Sequence, residues 1–266
     1  MIIKKIIFIC NDDKFYTLPT LYSIVKSQSL LNIKVEKILV SKYKSKSSSL
    51  LYRLKFLKNI SNFYRLFLYI VYLLINRFVK ITKGNVSFNH LSKKYNIDIE
   101  FVESLNKLST DEVKDLSKEI DLGIIMIDEV LAESFIQNFS KLIINKHSSM
   151  LPEGRGLFTY MRIFTDNIQP GITFHEVIKD IDAGVIFHQK RIDNSQLTSM
   201  VKFYKFIFDN YYLELNNCLI NIKNNNIITN NFDNSYYSLP KDHNFKEFKQ
   251  SNGSLIKASD FLNLFR

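Results

Sequence analysis

Ile143-Ile144-Asn145-Lys146-His147-Ser148-Ser149-Met150-Leu151-Pro152-Glu153-Gly154-Arg155-Gly156 opens the stretch whose reading decides the fold. Gly171-Ile172-Thr173-Phe174-His175 and Asp180-Ile181-Asp182-Ala183-Gly184-Val185-Ile186 complete it. The chain has seven glycines in 266 residues, and four of them, Gly154, Gly156, Gly171 and Gly184, fall between 143 and 186. Backbone freedom is concentrated where polar side chains gather, as in loops that approach a ligand. Residues 141–145 read as a short buried strand. Side chains two apart on a strand share a face, so Asn145 and His147 are expected to project together from its end. Leu151-Pro152 and the glycines after it make a stiff and then a flexible loop beyond that end, where open α/β sheets bind ligands. Asp182 sits in a turn-like Asp-Ala-Gly between the apolar runs 172–178 and 185–187. An amide, an imidazole and a carboxylate are thus expected in one small volume. Each of these signals alone is ordinary strand-end or turn chemistry. His147, His175 and His188 lack the helical pairing or close Cys/His spacing of a zinc site, so no metal is expected.

The order Asn145-x-His147-x-Ser149-x-Leu151-Pro152-x-x-Arg155-Gly156, then Gly171-Ile-Thr-x-His175, then Ile181-Asp182-Ala-Gly184 resembles the formyltransferases that use 10-formyltetrahydrofolate. The resemblance implies catalytic roles for Asn145, His147 and Asp182. On that reading, Asn145 and a protonated His147, held charged by Asp182, face the oxygen that becomes negative when an amine attacks the formyl carbon. It further implies a co-substrate pocket along 127–131, with Ile127, Glu129 and Leu131 contributing mainly main-chain groups beside Asp182. Arg155, Gly156 and His175 are implied on the substrate side. Arg-Gly after Leu-Pro is closer to the methionyl-tRNA and sugar branches than to the purine branch, which usually has Lys-Gly. The expected acceptor is the primary amine of a nucleotide-linked amino-sugar, as used for surface polysaccharides. Methionyl-tRNA, another amine, or a non-catalytic membrane-surface role remain alternatives.

Upstream, residues 1–10 carry an apolar run too short for the core of a signal peptide and read as the first strand. Asn11-Asp12-Asp13-Lys14 follows it in place of a Gly-x-Gly-x-x-Gly phosphate loop, so no dinucleotide is expected. A helix is expected over 19–27, a strand over 33–40, a helix over 91–95 and a strand over 97–102. Residues 109–118 read as a helix capped by Ser109 or Thr110, 122–127 as a buried strand and 132–139 as a helix. Downstream, 185–192 reads as a strand and 198–215 as one long helix. The Asn-rich run 216–234 reads as turns around two short apolar stretches, 218–222 and 227–229. Tyr236-Tyr-Ser-Leu-Pro240 resembles a segment found after the catalytic domain in several formyltransferases.

Between 42 and 90 the chain has ten basic residues (Lys42, Lys44, Lys46, Arg53, Lys55, Lys58, Arg65, Arg77, Lys80, Lys83) and no Asp or Glu. The whole chain carries 36 basic and 26 acidic residues, so the remainder balances at 26 against 26 and the basicity is local. Apolar residues at helical spacing over 50–81 predict one or two basic amphipathic helices. The uncharged stretch 66–76 is shorter than the roughly 20 residues a spanning helix needs. Three readings compete: packing on the sheet or at a homodimer contact, attachment to an anionic membrane surface, and nucleic-acid binding, the last least favoured.

The composition, 46% hydrophobic and 23% charged, is that of a globular chain. Cys10 and Cys218 are too few and too far apart for a disulfide framework, which suits a cytoplasmic setting, and attachment through 42–90 would place the chain peripherally on the inner membrane surface. The expected architecture is α/β, a Rossmann-like mostly parallel sheet. It comprises a catalytic domain over 1–208 with a basic helical insertion at 42–90, and a short C-terminal appendage over 209–266.

Overall fold

In the computed structural model, which describes residues 2–45, 49–194, 197–231 and 236–264, the chain builds a seven-stranded sheet. Lys46 of the basic run and residues 232–234 of the Asn-rich run lie outside the described residues. The strands are β1 (Lys5–Asn11), β2 (Lys34–Ser41), β3 (Asp98–Val102), β4 (Leu122–Met126), β5 (Leu142–Ser149), β6 (Pro170–Glu176) and β7 (Ile186–Arg191). Their spatial order is β3-β2-β1-β4-β5-β6-β7, parallel from β3 to β5 and antiparallel for the last two. The expectation of a mostly parallel sheet holds.

Period-two alternation shows why the sheet is buried on both faces. In β1, Ile6, Phe8 and Cys10 join the larger core cluster, while Ile7 and Ile9 join a second cluster on the other side. Helices α5 (Thr110–Ser117) and α6 (Glu133–Asn138) cover the second cluster with Val113 and Phe135. Helix α5 starts where the sequence signals it: the Ser109 hydroxyl accepts from Glu112 N–H, and the Glu112 carboxylate accepts from Ser109 N–H. Against the larger cluster lie α1 (Thr17–Lys26) and α4 (Phe88–Tyr95), and the expected insertion forms two helices, α2 (Leu50–Ile60) and α3 (Phe63–Thr82). Asn62 separates them and caps the second, its side chain accepting from Arg65 N–H at 2.9 Å. Short α7 (Thr159–Thr165) follows the glycine loop.

The single helix expected over 198–215 is two, α8 (Met200–Asp209) and α9 (Tyr211–Lys223), broken at Asn210. The stretch 218–222, expected between turns, is the last part of α9. Cys218, Leu219 and Ile222 lie on its buried face with Tyr211 and Leu215, at three- and four-residue spacing, so a helical stripe outweighs the asparagines between them. Helix α10 (Asp242–Gln250) adds Phe245 and Phe248 to the same cluster, against Phe56 of α2 and Tyr160 of α7.

Candidate active site

The chain passes from one side of β1 to the other between β3 and β4, and the crevice at the carboxyl ends of β1, β4 and β5 is where such sheets bind ligands. Strand β5 runs past the expected 145 to Ser149 because antiparallel β6 pairs with it, setting Asn145 opposite His175 and His147 opposite Thr173. Cross-strand partners have neighbouring side chains, so Asn145, His147 and His175 gather on one face. The β6–β7 turn then delivers Asp182, held at φ 54°, a left-handed conformation that aspartate tolerates better than most residues.

Four side chains thereby meet. Asp182 Oδ2 accepts from Gly156 N–H at 3.0 Å and lies 3.6 Å from His147 Nδ1, while Oδ1 lies 3.5 Å from His175 Nε2. His147 Nε2 donates to the Gly154 carbonyl at 2.7 Å, so this nitrogen carries the proton of the neutral ring and Nδ1 faces the carboxylate. His175 Nδ1 donates to the Glu176 carbonyl at 2.8 Å, and its Nε2 lies between the Asn145 amide nitrogen at 3.4 Å and Asp182 Oδ1 at 3.5 Å. The amide NH₂ has a second hydrogen, and half-buried Asn145 directs it to nothing else among the described residues.

Burial alone would raise the Asp182 carboxyl. His147, His175 and the Gly156 N–H overcome it and hold the group far below the usual carboxylate range. For His147, burial is the largest influence and lowers it below its ordinary value; Asp182 and the Gly154 carbonyl oppose this without reversing it. These influences pull apart, since Asp182 favours a charged ring and burial a neutral one. The geometry sides with burial: Nδ1 is beyond hydrogen-bond reach of the carboxylate at 3.6 Å. The expectation of a resting imidazolium is therefore corrected to a neutral ring beside an ionised Asp182. Lys146, on the opposite face of β5, sharpens this, because its ammonium also disfavours charge on His147. That amine donates to Ser148 Oγ at 2.9 Å and lies over the Phe208 ring, and burial pushes it down to about 8.

The remaining expected residues divide. Arg155, expected to face a substrate, is turned inward: its Nε and a terminal nitrogen both donate to the Ile181 carbonyl, at 3.1 and 2.7 Å, clamping the loop that carries Asp182. Gly156 also serves this loop through its N–H. At φ 106° its backbone passes so close to Tyr237 that a Cβ would stand 2.3 Å from that residue's carbonyl oxygen. Segment 236–238 thus docks along 155–157, with Leu157 N–H donating to Tyr237 O and Tyr237 N–H to Arg155 O. Glu129 is buried with its carboxylate engaged at the ends of β2 and β3, accepting from Ser41 and Ser104 hydroxyls and from the N–H groups of Leu105 and Asn106. Leu131 packs in the second core cluster and Ile127 against it. The main-chain groups of Ile127, Glu129 and Leu131 enter no turn or cap hydrogen bond among the described residues.

Nothing in the sequence singles out Asn230, which sits in an asparagine-rich run, yet it fixes the site. Its buried amide donates to the carbonyls of Asp182 and Gly184, each at 3.1 Å. Gln189 is likewise silent in sequence, and Thr173 stands in the Gly171-Ile-Thr-x-His175 motif without a role read for it. The Thr173 hydroxyl donates to Ser149 O at 2.6 Å, and the Gln189 amide donates to Leu151 O at 2.9 Å, holding the loop entered by the cis Leu151–Pro152 bond. Among the described residues no group of three or more His, Cys, Asp or Glu could hold a metal ion.

Residues 86–206 match the family model described as Formyl transferase, a segment that includes Asn145, His147, His175 and Asp182. The methionyl-tRNA formyltransferase of Bdellovibrio bacteriovorus is 29% identical over 105 residues, which are 38% of this chain and 33% of that protein. The match thus spans about a third of that relative's length. A sugar N-formyltransferase from a Shewanella species superposes with a TM-score of 0.54 at 13% identity, covering 98% of this chain and 86% of that one. A sugar 3N-formyltransferase solved with dTDP and 5-N-formyltetrahydrofolate gives 0.55 at 17% identity, covering 94% and 80%. At these identities the structural likeness is one of fold. The motif residues gathered at one sheet end thus lie inside the segment that matches the formyl transferase family model, and the fold around them is that of solved formyltransferases.

Proposed function

We propose that the chain transfers a formyl group from 10-formyltetrahydrofolate to the primary amine of a nucleotide-linked amino-sugar. The observation that carries this reading is Asp182, an ionised carboxylate seated between His147 and His175 with the Asn145 amide alongside. Formyl transfer forms a bond from the amine nitrogen to the formyl carbon and breaks the bond from that carbon to the folate's N10. One proton must leave the amine and one must reach N10. Neutral His147 presents a bare Nδ1 beside Asp182, so it can take the amine's proton and return it to the leaving nitrogen. The imidazolium formed in transit has both partners in place, the Gly154 carbonyl at Nε2 and the Asp182 carboxylate at Nδ1. The second Asn145 hydrogen is the donor for the oxygen that becomes negative at the tetrahedral centre. Main-chain groups at 127–131 are assigned to the flat ring of the folate.

The acceptor class rests on less. Arg155-Gly156 follows the sugar and methionyl-tRNA pattern, and the fold extends through α10 in a form shared with structures named as sugar N-formyltransferases. A methionyl-tRNA acceptor is the second reading, favoured by the Bdellovibrio match. Purified chain incubated with 10-formyltetrahydrofolate and a panel of nucleotide-linked amino-sugars, glycinamide ribonucleotide and methionyl-tRNA separates these. Formylation of a sugar amine is the expected result. Transfer to methionyl-tRNA alone overturns the acceptor assignment, and no folate turnover with any amine overturns the reaction.

A further inference from the structure

Helix α3 is buried on one side only. Tyr72, Asn76 and Val79 face the core, whereas Phe63, Phe67, Ile70, Leu74, Phe78 and Ile81 run along the opposite side and are 42–87% exposed. Their spacing of four and three residues makes one continuous stripe on a helix. Helix α2, joined to α3 through Ser61 and Asn62, repeats the arrangement: Phe56 and Ile60 are buried, and Leu50, Leu51 and Leu54 point outward among the exposed Lys55 and Lys58. Single exposed apolar side chains need no partner, but a row of this length on two consecutive helices does.

Charge identifies the partner. Residues 42–90 hold ten basic side chains and no acidic one, while the rest of the chain is balanced. Some of these charges serve the fold: Arg77 donates to the carbonyls of Asn85 and Val86, and Lys80 to that of Phe15. Arg53, Lys55, Lys58, Arg65 and Lys83 are exposed. A second copy of the chain, docked through the same helices, would bring the same cations with no carboxylate from this segment to meet them, whereas paired helices ordinarily flank an apolar seam with both signs. An anionic bilayer supplies what is missing, an apolar interior for the stripe and negative headgroups for the lysines. We infer that α2 and α3 lie in the plane of an anionic phospholipid surface, with the phenylalanine and leucine row in the acyl boundary and Lys55 and Lys58 at the headgroups. They rest on the bilayer rather than cross it, since among the described residues no helix is long and apolar enough to span a membrane.

The full chain is sedimented with vesicles of phosphatidylcholine alone and of phosphatidylcholine containing about 30% phosphatidylglycerol, at low and at raised salt. Partition into the anionic vesicles is expected to be at least about tenfold stronger and to weaken as salt rises. The triple variant Phe63→Ser, Phe67→Ser, Phe78→Ser is expected to lose it, and Lys55→Gln with Lys58→Gln to reduce it several-fold. Both variants replace exposed side chains, so their thermal midpoints and circular dichroism should match the parent. No partition overturns the inference, as does equal partition into both vesicle types or binding that survives the triple variant. Light scattering showing a doubled mass that the triple variant abolishes, without vesicle binding, assigns the stripe to a second copy instead.

Discussion

The turn at Asp182 and the outer face of α3 are opposite solutions to one problem, how a surface carries function. At Asp182, segments distant in sequence spend their polar groups on one loop: Arg155 on the Ile181 carbonyl, Asn230 on the carbonyls of Asp182 and Gly184, and Gly156 on the carboxylate itself. On α3, six large apolar side chains in one row are left 42–87% exposed. A reacting group must be held to a fraction of an ångström, so its support is dense. A docking face must stay open until its partner arrives, so it is bare.

Substitutions can break this contrast, and the greatest effects belong to the site. Removing one preorganised donor typically costs about 10²–10³ in turnover, so Asn145→Ala and Asp182→Asn should each lower formyl transfer by at least that order in folded protein. The double variant should lose little more than either single one, because the groups act as a unit. Steady-state and single-turnover rates check both statements.

Next come the supports. Asn230→Ala leaves two buried carbonyls without a donor and should destabilise the chain by about 1–3 kcal/mol, read from denaturant melts. It should also slow transfer by loosening Asp182, less than the loss from Asp182→Asn. Arg155→Ala should behave similarly, and unchanged folate turnover in both would show that the Asp182 loop does not need its clamps.

Acid separates the two regions without mutation. Burial lowers His147 below its ordinary value near 6.5, so the unfolded chain binds a proton there that the folded chain refuses. Stability contributed by this group is present above about 6.5 and is lost as pH falls from there toward the folded value. Asp182, ordinarily near 3.8 and held lower in the fold, adds a second loss as pH falls below 3.8. The rate should show an acid limb below pH 6.5, where His147 begins to take a resting proton. In Asp182→Asn the residual activity should keep its limb at still lower pH, since the carboxylate is what draws His147 upward. A limb that moves toward neutral would reverse that assignment. The smallest effects belong to the bare face, where Phe63→Ser and Phe78→Ser should each change stability by no more than about 0.5 kcal/mol.

What could be read from the chain follows the same division. Central strands announce themselves because burial on both faces demands apolar runs, and α5 because Ser109 and Glu112 cap it reciprocally. The meeting of Asn145, His147 and Asp182 was legible because strand alternation and a turn between strands are local rules. His175 was legible as a substrate-side residue, though its Asn145 partner depends on antiparallel pairing between β5 and β6. Arg155 was legible as a substrate-side residue by resemblance, but its clamp on the Ile181 carbonyl joins groups 26 residues apart and obeys no local pattern. Asn230 and Gln189 left no trace, and Thr173 showed only as a motif letter, since a side chain that binds a distant main-chain carbonyl obeys no spacing. The outward face of α3 was hidden for a related reason: periodicity reports a stripe and not which side of the helix the core will take.

Single-turnover formyl transfer by His147→Ala, with folding verified by its thermal midpoint, tests the site most directly. The geometry predicts a rate at least about 10²–10³ below the parent, because the proton then has no carrier between the amine and the leaving nitrogen. A rate near that of the parent in folded His147→Ala protein would contradict it.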